Sequence, residues 1–378
     1  MASDLVNATI KLDTVDLSPS YGAVLPLRDG RLMWVYGSGS ADPVKPVRAN
    51  FSEDGGATWS APVHLKLTTG GPLPAIMETN IFRLKSGGIG LVMRAYAHTG
   101  AYEADYHAGL IFTSSKDEGA TWSPPVRINP PGADAVCANE SSIVLRDGRI
   151  VVPFYDMMGP MPTGDVRAIK RLGESFDGAS RCALAYSSAY YSDDEGATWK
   201  RSNNEAFVVL DTGALGCYSM GEPAVVELVD GRVMMLGRTN LGRHFQCYSD
   251  DLGETWSMPE PTGLACYPSP ATVTRIPRPH LPHLSPERDI LSRGAGRREN
   301  GSDLADADLL VIWNQASQWE TMNGLFRHRL TCAVSKDEGK TWQRHRNLES
   351  LDDVAYIEPG PVEADLIGKT AQPVDRKR

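Results

Sequence analysis

The sequence predicts an all-β protein, a six-bladed β-propeller of four-stranded antiparallel blades. The first observation is an eight-residue pattern, Ser-x-Asp-x-Gly-x-Thr-Trp, that occurs five times along the chain. The second is that a pair of short apolar runs around a tight turn precedes each copy. A supersecondary unit repeated in this way is typical of propellers, and two hairpins per repeat make a four-stranded blade. The copies, here called the Ser-x-Asp boxes, are Ser52–Trp59, Ser115–Trp122, Ser192–Trp199, Ser249–Trp256 and Ser335–Trp342.

Each box has the composition of a β-hairpin tip. The Asp side chain can accept hydrogen bonds from the amides of the turn, and Gly permits a positive φ. The Trp can pack back between neighbouring sheets. Five copies with every defining position intact therefore predict five equivalent turns.

The composition favours one globular domain, predicted over residues 1–378, because a hydrophobic content of 41% can form a substantial core. A net charge of −9 argues against nucleic acid or an anionic membrane as the main partner. The N-terminus lacks the layout of a signal peptide, so we expect a cytoplasmic protein, although removal of an export signal would leave the same sequence. The six cysteines lack Cys-x-x-Cys spacing, so we expect buried free thiols and neither a metal site nor another cofactor. The sequence makes no prediction of oligomeric state.

The blades follow one another along the chain. Residues 5–17 are predicted to form a lone strand that joins the last blade and closes the ring. The first hairpin is Ala23–Leu27 and Leu32–Tyr36 around Asp29-Gly30, the strongest short signal for a β-hairpin. Beyond Trp342 only residues 354–358 resemble a further strand, so the sixth blade is predicted to be incomplete or divergent. The other hairpins are predicted at Ile81–Met93, Ile143–Phe154, Val225–Leu236 and, interrupted by an insertion, Ala271–Ile276 with Leu309–Trp313.

The hairpins also predict which end of each blade carries the functional groups. Because strands one and two are antiparallel, the start of strand one and the end of strand two share a face, opposite the boxes. Charged side chains there are costly unless they are paired or solvated. These side chains are therefore expected either to form ion pairs that close the central channel of the propeller or to bind a ligand. Alignment of the turns places there Glu78, Asn139 and Glu222 from strand one, and Arg94, Tyr155 and Arg238 from strand two.

These repeats resemble the sialidase (neuraminidase) superfamily, whose six-bladed propellers carry the same boxes, called Asp-boxes or BNR repeats. The resemblance covers roughly residues 20–358. It implies a sialidase-like propeller that acts as an exo-glycosidase on a terminal acidic sugar of the sialic acid type, with a carbohydrate as its partner. Propellers with these boxes also serve as other glycosidases, lyases and binding modules, so the fold alone does not fix the activity.

The resemblance also implies roles for individual residues. Glu222, in the segment Gly221–Leu228, resembles the Glu that polarises the catalytic Tyr, and Arg238 resembles an Arg that binds the substrate carboxylate. Arg327 is similar to a second carboxylate-binding Arg in blade five. Tyr356 resembles the nucleophilic Tyr that opens blade six, and Asp42 is placed like the acid/base Asp. The other expected substrate-binding residues are Arg94, Glu78, Asn139 and Tyr155.

One departure from the family keeps other functions open. The family opens blade one with an Arg-Ile-Pro motif, whereas residues 19–23 of this chain contain no Arg. Arg94 could replace it from the neighbouring blade. The alternatives are a hydrolase or lyase for another, uronic sugar, in which His98, His107 or His244 would matter, and a non-catalytic propeller that binds glycan or protein. A contact between Tyr356 and Glu222 would favour the enzyme, whereas no Tyr within reach of Glu222 would favour the binding module.

Overall fold

The computed structural model describes most of the repeat region. The described residues are 22–37, 47–70, 76–95, 109–130, 133, 135–137, 141–158, 184–208, 220–239, 241–266, 269–277, 307–317, 320, 327–350, 354 and 356–359. They form five four-stranded antiparallel sheets in which each strand pairs with the next along the chain. This is the blade predicted from the repeats.

The strands of the five blades have the following bounds. Blade one contains β1 (Gly22–Pro26), β2 (Leu32–Tyr36), β3 (Arg48–Ser52) and β4 (Val63–His64). Blade two contains β5 (Ile76–Arg83), β6 (Ile89–Ala95), β7 (Gly109–Ser115) and β8 (Val126–Arg127). Blade three contains β9 (Ile143–Val144), β10 (Ile150–Met158), β11 (Leu184–Ser192) and β12 (Lys200–Arg201). Blade four contains β13 (Gly221–Glu227), β14 (Val233–Arg238), β15 (Arg243–Ser249) and β16 (Glu260–Ala265). Blade five contains β17 (Ala271–Pro277), β18 (Ala307–Asn314), β19 (Arg329–Ser335) and β20 (Gln343–Ser350).

The blade count differs from the sequence prediction. Five blades are present in the described part of the chain, whereas six were predicted. Of the residues expected to build the sixth blade, 5–17 lie outside the described residues. Residues 354 and 356–358, predicted to begin a further strand, are described and do not form one. The five predicted hairpins are confirmed, including the interrupted one formed by β17 and β18.

The boxes form the turns predicted for them, as the second one illustrates. Asp117 accepts hydrogen bonds from the backbone N–H of Thr121 (2.8 Å), from its hydroxyl (2.6 Å) and from the hydroxyl of Ser115 (2.8 Å). The indole of Trp122, fully buried, donates to the carbonyl of Gly119 over 3.1 Å. Because these bonds join residues at most five positions apart, the local sequence suffices to build the turn. The same Ser–Asp–Thr bonds occur in the other four boxes.

The boxes also hold consecutive blades together. Gly196, with φ of 90°, lies so close to Phe112 of blade two that an added Cβ would stand 2.1 Å from the ring. In blade two the residue before the box glycine is Glu118, which accepts hydrogen bonds from Arg83 of its own blade and from the backbone N–H of Arg28 in blade one. Glu195 accepts in the same way from the backbone of Ser86. Neighbouring blades are therefore joined at the ends of their hairpins.

The hydrophobic core lies between the blades rather than in one central mass. Leu25 and Met33 of blade one pack with Leu91 and Trp122 of blade two, and similar clusters fill the spaces between later blades. Blades two, three and four bury apolar residues against a neighbour on each side, because residues of adjacent blades interdigitate. Consistent with the expectation from sequence, the cysteines in the described residues are free thiols, namely Cys137, Cys247, Cys266 and Cys332.

Candidate functional site

The strand registers place the charged candidates at one end of the blades. In blade four Gly221 pairs with Arg238, and in blade two Met77 pairs with Arg94. In each of these blades the box follows the third strand, at the end of the sheet where the first hairpin turns. The end that carries Glu78, Arg94, Glu222 and Arg238 is therefore opposite the boxes, as predicted, and is called the site face below.

Two equivalent β-bulges aim the glutamates of the site face. The pairing of β5 with β6 shifts between Met77 and Thr79, and that of β13 with β14 shifts between Gly221 and Ala224. Glu78 and Glu222 lie within these irregularities, and Glu222 has a φ of 41°, which non-glycine residues seldom adopt. Bulges redirect a side chain out of the regular alternation of a strand and are frequent beside functional sites.

Each glutamate is paired with the arginine of its own blade. The Oε2 atom of Glu222 accepts a hydrogen bond from Nη1 of Arg238 at 2.7 Å, and the Arg238 side chain is only 5% exposed. In blade two the closest approach, from Nη1 of Arg94 to Oε1 of Glu78, is 3.7 Å. The blade-four pair is thus a direct charge-assisted hydrogen bond, while the blade-two pair is a looser electrostatic contact.

The two glutamates share one electrostatic environment. Burial raises the pKa of Glu78 above its usual 4.5; Arg94 opposes the shift and the Glu222 carboxylate adds to it. Oε2 of Glu78 is buried and accepts no hydrogen bond from any described residue. Blades two and four therefore place two carboxyl groups within electrostatic range of each other on the site face, and the buried Oε2 of Glu78 has no hydrogen-bond donor among the described residues.

Tyr356 also lies near the site face, but its described contacts are with the outer strands of blades four and five. Its ring centroid is 4.4 Å from that of His345 in β20, and its phenol interacts electrostatically with Arg243 at the start of β15. The next residue, Ile357, donates its backbone N–H to the buried Oε1 of Gln315 at 2.9 Å. Because Gln315 directly follows β18, this hydrogen bond attaches the segment around Tyr356 to blade five. The described contacts do not include one between Tyr356 and Glu222.

The arginine buried in blade five is Arg329, which the sequence analysis did not select. Its side chain is 1% exposed, and it binds Glu320 at 2.9 Å and the carbonyl of Gln315 at 3.1 Å. The selected residue, Arg327, is exposed and has a φ of 57°. A spacing-based argument could have found Arg329, because it stands six residues before the box serine Ser335, as Arg243 does before Ser249.

Blade three contributes an aromatic and acidic pair that the sequence analysis also missed. The hydroxyl of Tyr186 donates to Oδ2 of Asp156 at 3.1 Å, and burial together with this carboxylate raises the pKa of Tyr186 to about 12. The predicted residue Tyr155 is half-buried, and its backbone forms a bridge with Val136. Two other predicted residues, Asp42 and Asn139, lie outside the described residues.

His244 does not have the environment of a catalytic base. It is fully buried, its Nδ1 lies 3.2 Å from the carbonyl oxygen of Gly237, and burial lowers its pKa to about 4. The ring is therefore neutral at physiological pH and supports the end of β14. His98 and His107, the other histidines considered, lie outside the described residues.

Two further properties of the described residues bear on the class of site. They contain no group of three or more His, Cys, Asp or Glu side chains arranged to hold a metal ion. Within the same residues, no helix has the length and apolar character needed to cross a membrane.

Comparison with known proteins identifies relatives of the repeats. A family described as a BNR repeat-like domain matches residues 30–358. No curated protein matches the chain.

Solved structures share the fold at low sequence identity. Trypanosoma rangeli sialidase in complex with the inhibitor DANA superposes with a TM-score of 0.52 at 15% identity, covering 89% of this chain and 49% of that protein. The same sialidase in complex with sialic acid gives 0.52 at 16% identity, with coverages of 88% and 48%. The NanB sialidase from Streptococcus pneumoniae gives 0.54 at 13% identity, with coverages of 87% and 61%. This chain therefore spans about half to three fifths of the length of these sialidases, and the similarity is one of fold.

Proposed function

The chain belongs to the BNR repeat-like domain family, and from that premise we propose that it is a sialidase-like exo-glycosidase. It hydrolyses a terminal acidic sugar of the sialic acid type from glycoconjugates. The observation that carries the proposal is that blades two and four each present a Glu–Arg pair on the site face, with Glu222 within electrostatic range of Glu78. A structural relative has been solved with sialic acid bound, which supports the same class of ligand.

The chemistry of the substrate accounts for a tyrosine nucleophile. A sialic acid carries its carboxylate on the anomeric carbon, where a carboxylate nucleophile would be repelled. Tyr356, neutral until it reacts, attacks that carbon while Glu222 accepts the phenol proton. The bond to the leaving glycosidic oxygen breaks as Asp42 donates a proton to that oxygen. This step requires the phenol to reach Glu222 when substrate is bound.

The second half of the reaction restores the enzyme. Asp42, now ionised, removes a proton from water, and the water oxygen attacks the anomeric carbon of the tyrosyl intermediate. The Tyr356 oxygen leaves and recovers its proton from Glu222, so that both residues return to their starting states. The configuration at the anomeric carbon is retained, because two displacements occur.

Arginines orient the substrate through its carboxylate. Arg238 and Arg327 contact it with paired hydrogen bonds, a geometry that lysine cannot reproduce. The looser Arg94–Glu78 pair, with its 3.7 Å separation, has more freedom to rearrange around a ligand than the Arg238–Glu222 pair. Asn139 and Tyr155 complete the polar wall in blade three. A sixth blade, incomplete or divergent after Trp342 and closed partly by residues 5–17, is part of this proposal.

The proposal is tested by a screen of chromogenic glycosides with the purified protein. The panel contains an α-sialoside, a glucuronide and neutral glycosides that carry the same leaving group. We expect release of the chromophore from the sialoside, at a rate well above those from the neutral glycosides. If the protein binds these glycosides but hydrolyses none of them, the proposal of an enzyme gives way to that of a glycan-binding propeller.

One contact favours a second candidate, a lyase acting on uronic sugars. Tyr356 and His345 form a close aromatic pair, with ring centroids 4.4 Å apart. A Tyr and a His can together remove the proton next to a sugar carboxylate and protonate the leaving oxygen, while an arginine stabilises the carboxylate. The products distinguish the two reactions, because only the lyase forms an unsaturated sugar that absorbs ultraviolet light.

A further inference from the structure

Arg243 is a half-buried arginine on the site face that neither the repeats nor the family resemblance singled out. It begins β15, pairs with Ala265 of β16, and lies at the same end of blade four as Arg238. Its Nη1 donates to the backbone carbonyl of Thr262 at 3.1 Å. Its charge also acts on the buried thiol of Cys266, as does that of Arg238, so the two guanidinium groups lie in the same part of the blade.

Three other arginines of the site face are paired with carboxylates, whereas Arg48, at the start of β3 in blade one, lies over the ring of Tyr36 and forms no ion pair with a described carboxylate. Arg94 is beside Glu78, and Arg238 binds Glu222 directly. Arg329 binds Glu320 at 2.9 Å. These pairs contribute little net charge to the site, because each cation is matched by an anion of its own blade.

Arg243 differs from Arg329, which occupies the equivalent position in blade five. Each begins the third strand of its blade, six residues before the box serine. Within the described part of the chain no carboxylate forms an ion pair with Arg243, and the titratable groups acting on it are Cys266 and Tyr356. Burial accordingly lowers its pKa, although the guanidinium remains protonated at any physiological pH. The site face thus contains a partly desolvated positive charge that the described residues leave uncompensated.

A partly desolvated cation is costly unless an anion accompanies it. We propose that Arg243 is a further arginine that recognises the anionic group of the ligand, in addition to Arg238 and Arg327, and that it holds this group near Tyr356. The inference rests on the proposed function, in which Tyr356 attacks the carbon that carries the carboxylate. A guanidinium that binds the carboxylate must therefore lie near the nucleophile. Arg243 pairs with Ala265, whose carbonyl accepts a hydrogen bond from the indole of Trp313. Trp313 packs edge-on against His345, and the His345 ring contacts that of Tyr356, so Arg243 and Tyr356 share one part of the site face.

The geometry also explains how the chain manages without an arginine at the start of blade one. The Thr262 carbonyl occupies one N–H of the Arg243 guanidinium and fixes its orientation. The remaining N–H groups of the planar fork can bind a carboxylate with two parallel hydrogen bonds. Arg243 thus supplies from blade four a contact that residues 19–23 do not supply from blade one.

The test compares ligand binding by Arg243→Gln with that of a matched variant, Arg232→Gln. Arg232 belongs to the same blade but lies at the opposite end, where it pairs with Asp230 at 2.9 Å. N-acetylneuraminic acid and its methyl ester are titrated calorimetrically into the wild type and both variants, and melting temperatures establish that each variant is folded. We expect the wild type and Arg232→Gln to prefer the free acid. Arg243→Gln should lose about tenfold or more in affinity for the acid and bind the two compounds alike, as expected when a charge-assisted hydrogen bond is removed.

A second measurement separates this inference from the proposed function. If the wild type binds neither sugar, sulfate is added and the melting temperature is measured. A sulfate-dependent increase in the wild type that is absent in Arg243→Gln would support an anion site at Arg243 while rejecting the sialic acid ligand. Equal affinities of the wild type and Arg243→Gln for the acid, or no Arg243-dependent response to sulfate, would overturn the inference.

Discussion

Glu78 and Glu222 come from blades two and four, yet the Glu222 carboxylate raises the pKa of Glu78. The largest contribution to that pKa is the burial of Glu78 itself, and Arg94 opposes the shift. Because a folded-state pKa above the unfolded value means that ionisation costs stability, Glu78 destabilises the fold as the pH rises through its folded pKa.

This coupling predicts that Glu222→Gln lowers the pKa of Glu78, since the neutral amide removes the like charge. Arg94→Gln should raise the same pKa further, because it removes the attractive partner. Both changes can be followed by NMR titration of the Glu78 carboxyl carbon. An unchanged Glu78 pKa in Glu222→Gln would mean that the two groups do not interact in solution.

The proposed mechanism predicts a large effect of Tyr356→Phe. Removing the nucleophilic oxygen should lower kcat by orders of magnitude while substrate affinity changes little. The measurement is steady-state hydrolysis of a chromogenic sialoside, with affinity determined separately by calorimetry. Full activity of Tyr356→Phe would exclude this nucleophile.

The mechanism also predicts that Tyr356 and Glu222 act as one unit. Glu222→Gln should cut turnover because an amide cannot take the phenol proton. Its combination with Tyr356→Phe should cost little more than Tyr356→Phe alone. Additive losses in the double variant would show that the two residues work in separate steps. Melting temperatures serve as the control, since Glu222 also pairs with the buried Arg238.

The boxes predict a loss of stability in acid. The pKa of Asp54 is lowered to about 2 by hydrogen bonds from the side chain and backbone of Thr58 and from Ser52. In the other four boxes burial raises the pKa of the aspartate, but similar hydrogen bonds outweigh it and lower the pKa. A depressed folded pKa stabilises the fold above the unfolded value of 3.8, and this stability disappears as the pH falls through the folded pKa. Melting temperatures should therefore fall steeply from about pH 4 to about pH 2. Asp194→Asn should make this dependence shallower, and an unchanged slope would contradict the assignment.

The contact between blades one and two predicts a stability defect in Glu118→Gln. Glu118 binds Arg83 at 2.6 Å and the backbone N–H of Arg28 at 3.0 Å. The amide keeps the shape but loses the charge, so the free energy of unfolding should fall by roughly 1–3 kcal/mol. Urea unfolding measures the change, with the exposed Glu53→Gln in blade one as the control. Equal stability of the two variants would show that the inter-blade bond contributes nothing.

Part of the site could be predicted because the blades repeat. The turn glycines align Glu78 with Glu222 and Arg94 with Arg238, and the structure places each pair at equivalent positions. Such an alignment could not predict which side chain pairs with each arginine. Arg329 pairs with Glu320, whereas Arg243 at the same blade position does not meet a carboxylate among the described residues. The difference arises from the loops around each strand, whose course the repeat does not encode.

The sequence by itself determined the boxes, the hairpins and the four-stranded blade. It could do so because their stabilising hydrogen bonds join residues a few positions apart, such as Asp117 and Thr121. The tertiary structure decided which distant side chains come together. It brought Glu78 within electrostatic range of Glu222 and set Tyr356 against His345. It also gave five blades in the described residues instead of the predicted six. These contacts join distant parts of the chain, and their energies depend on burial and on the bulges that aim each side chain.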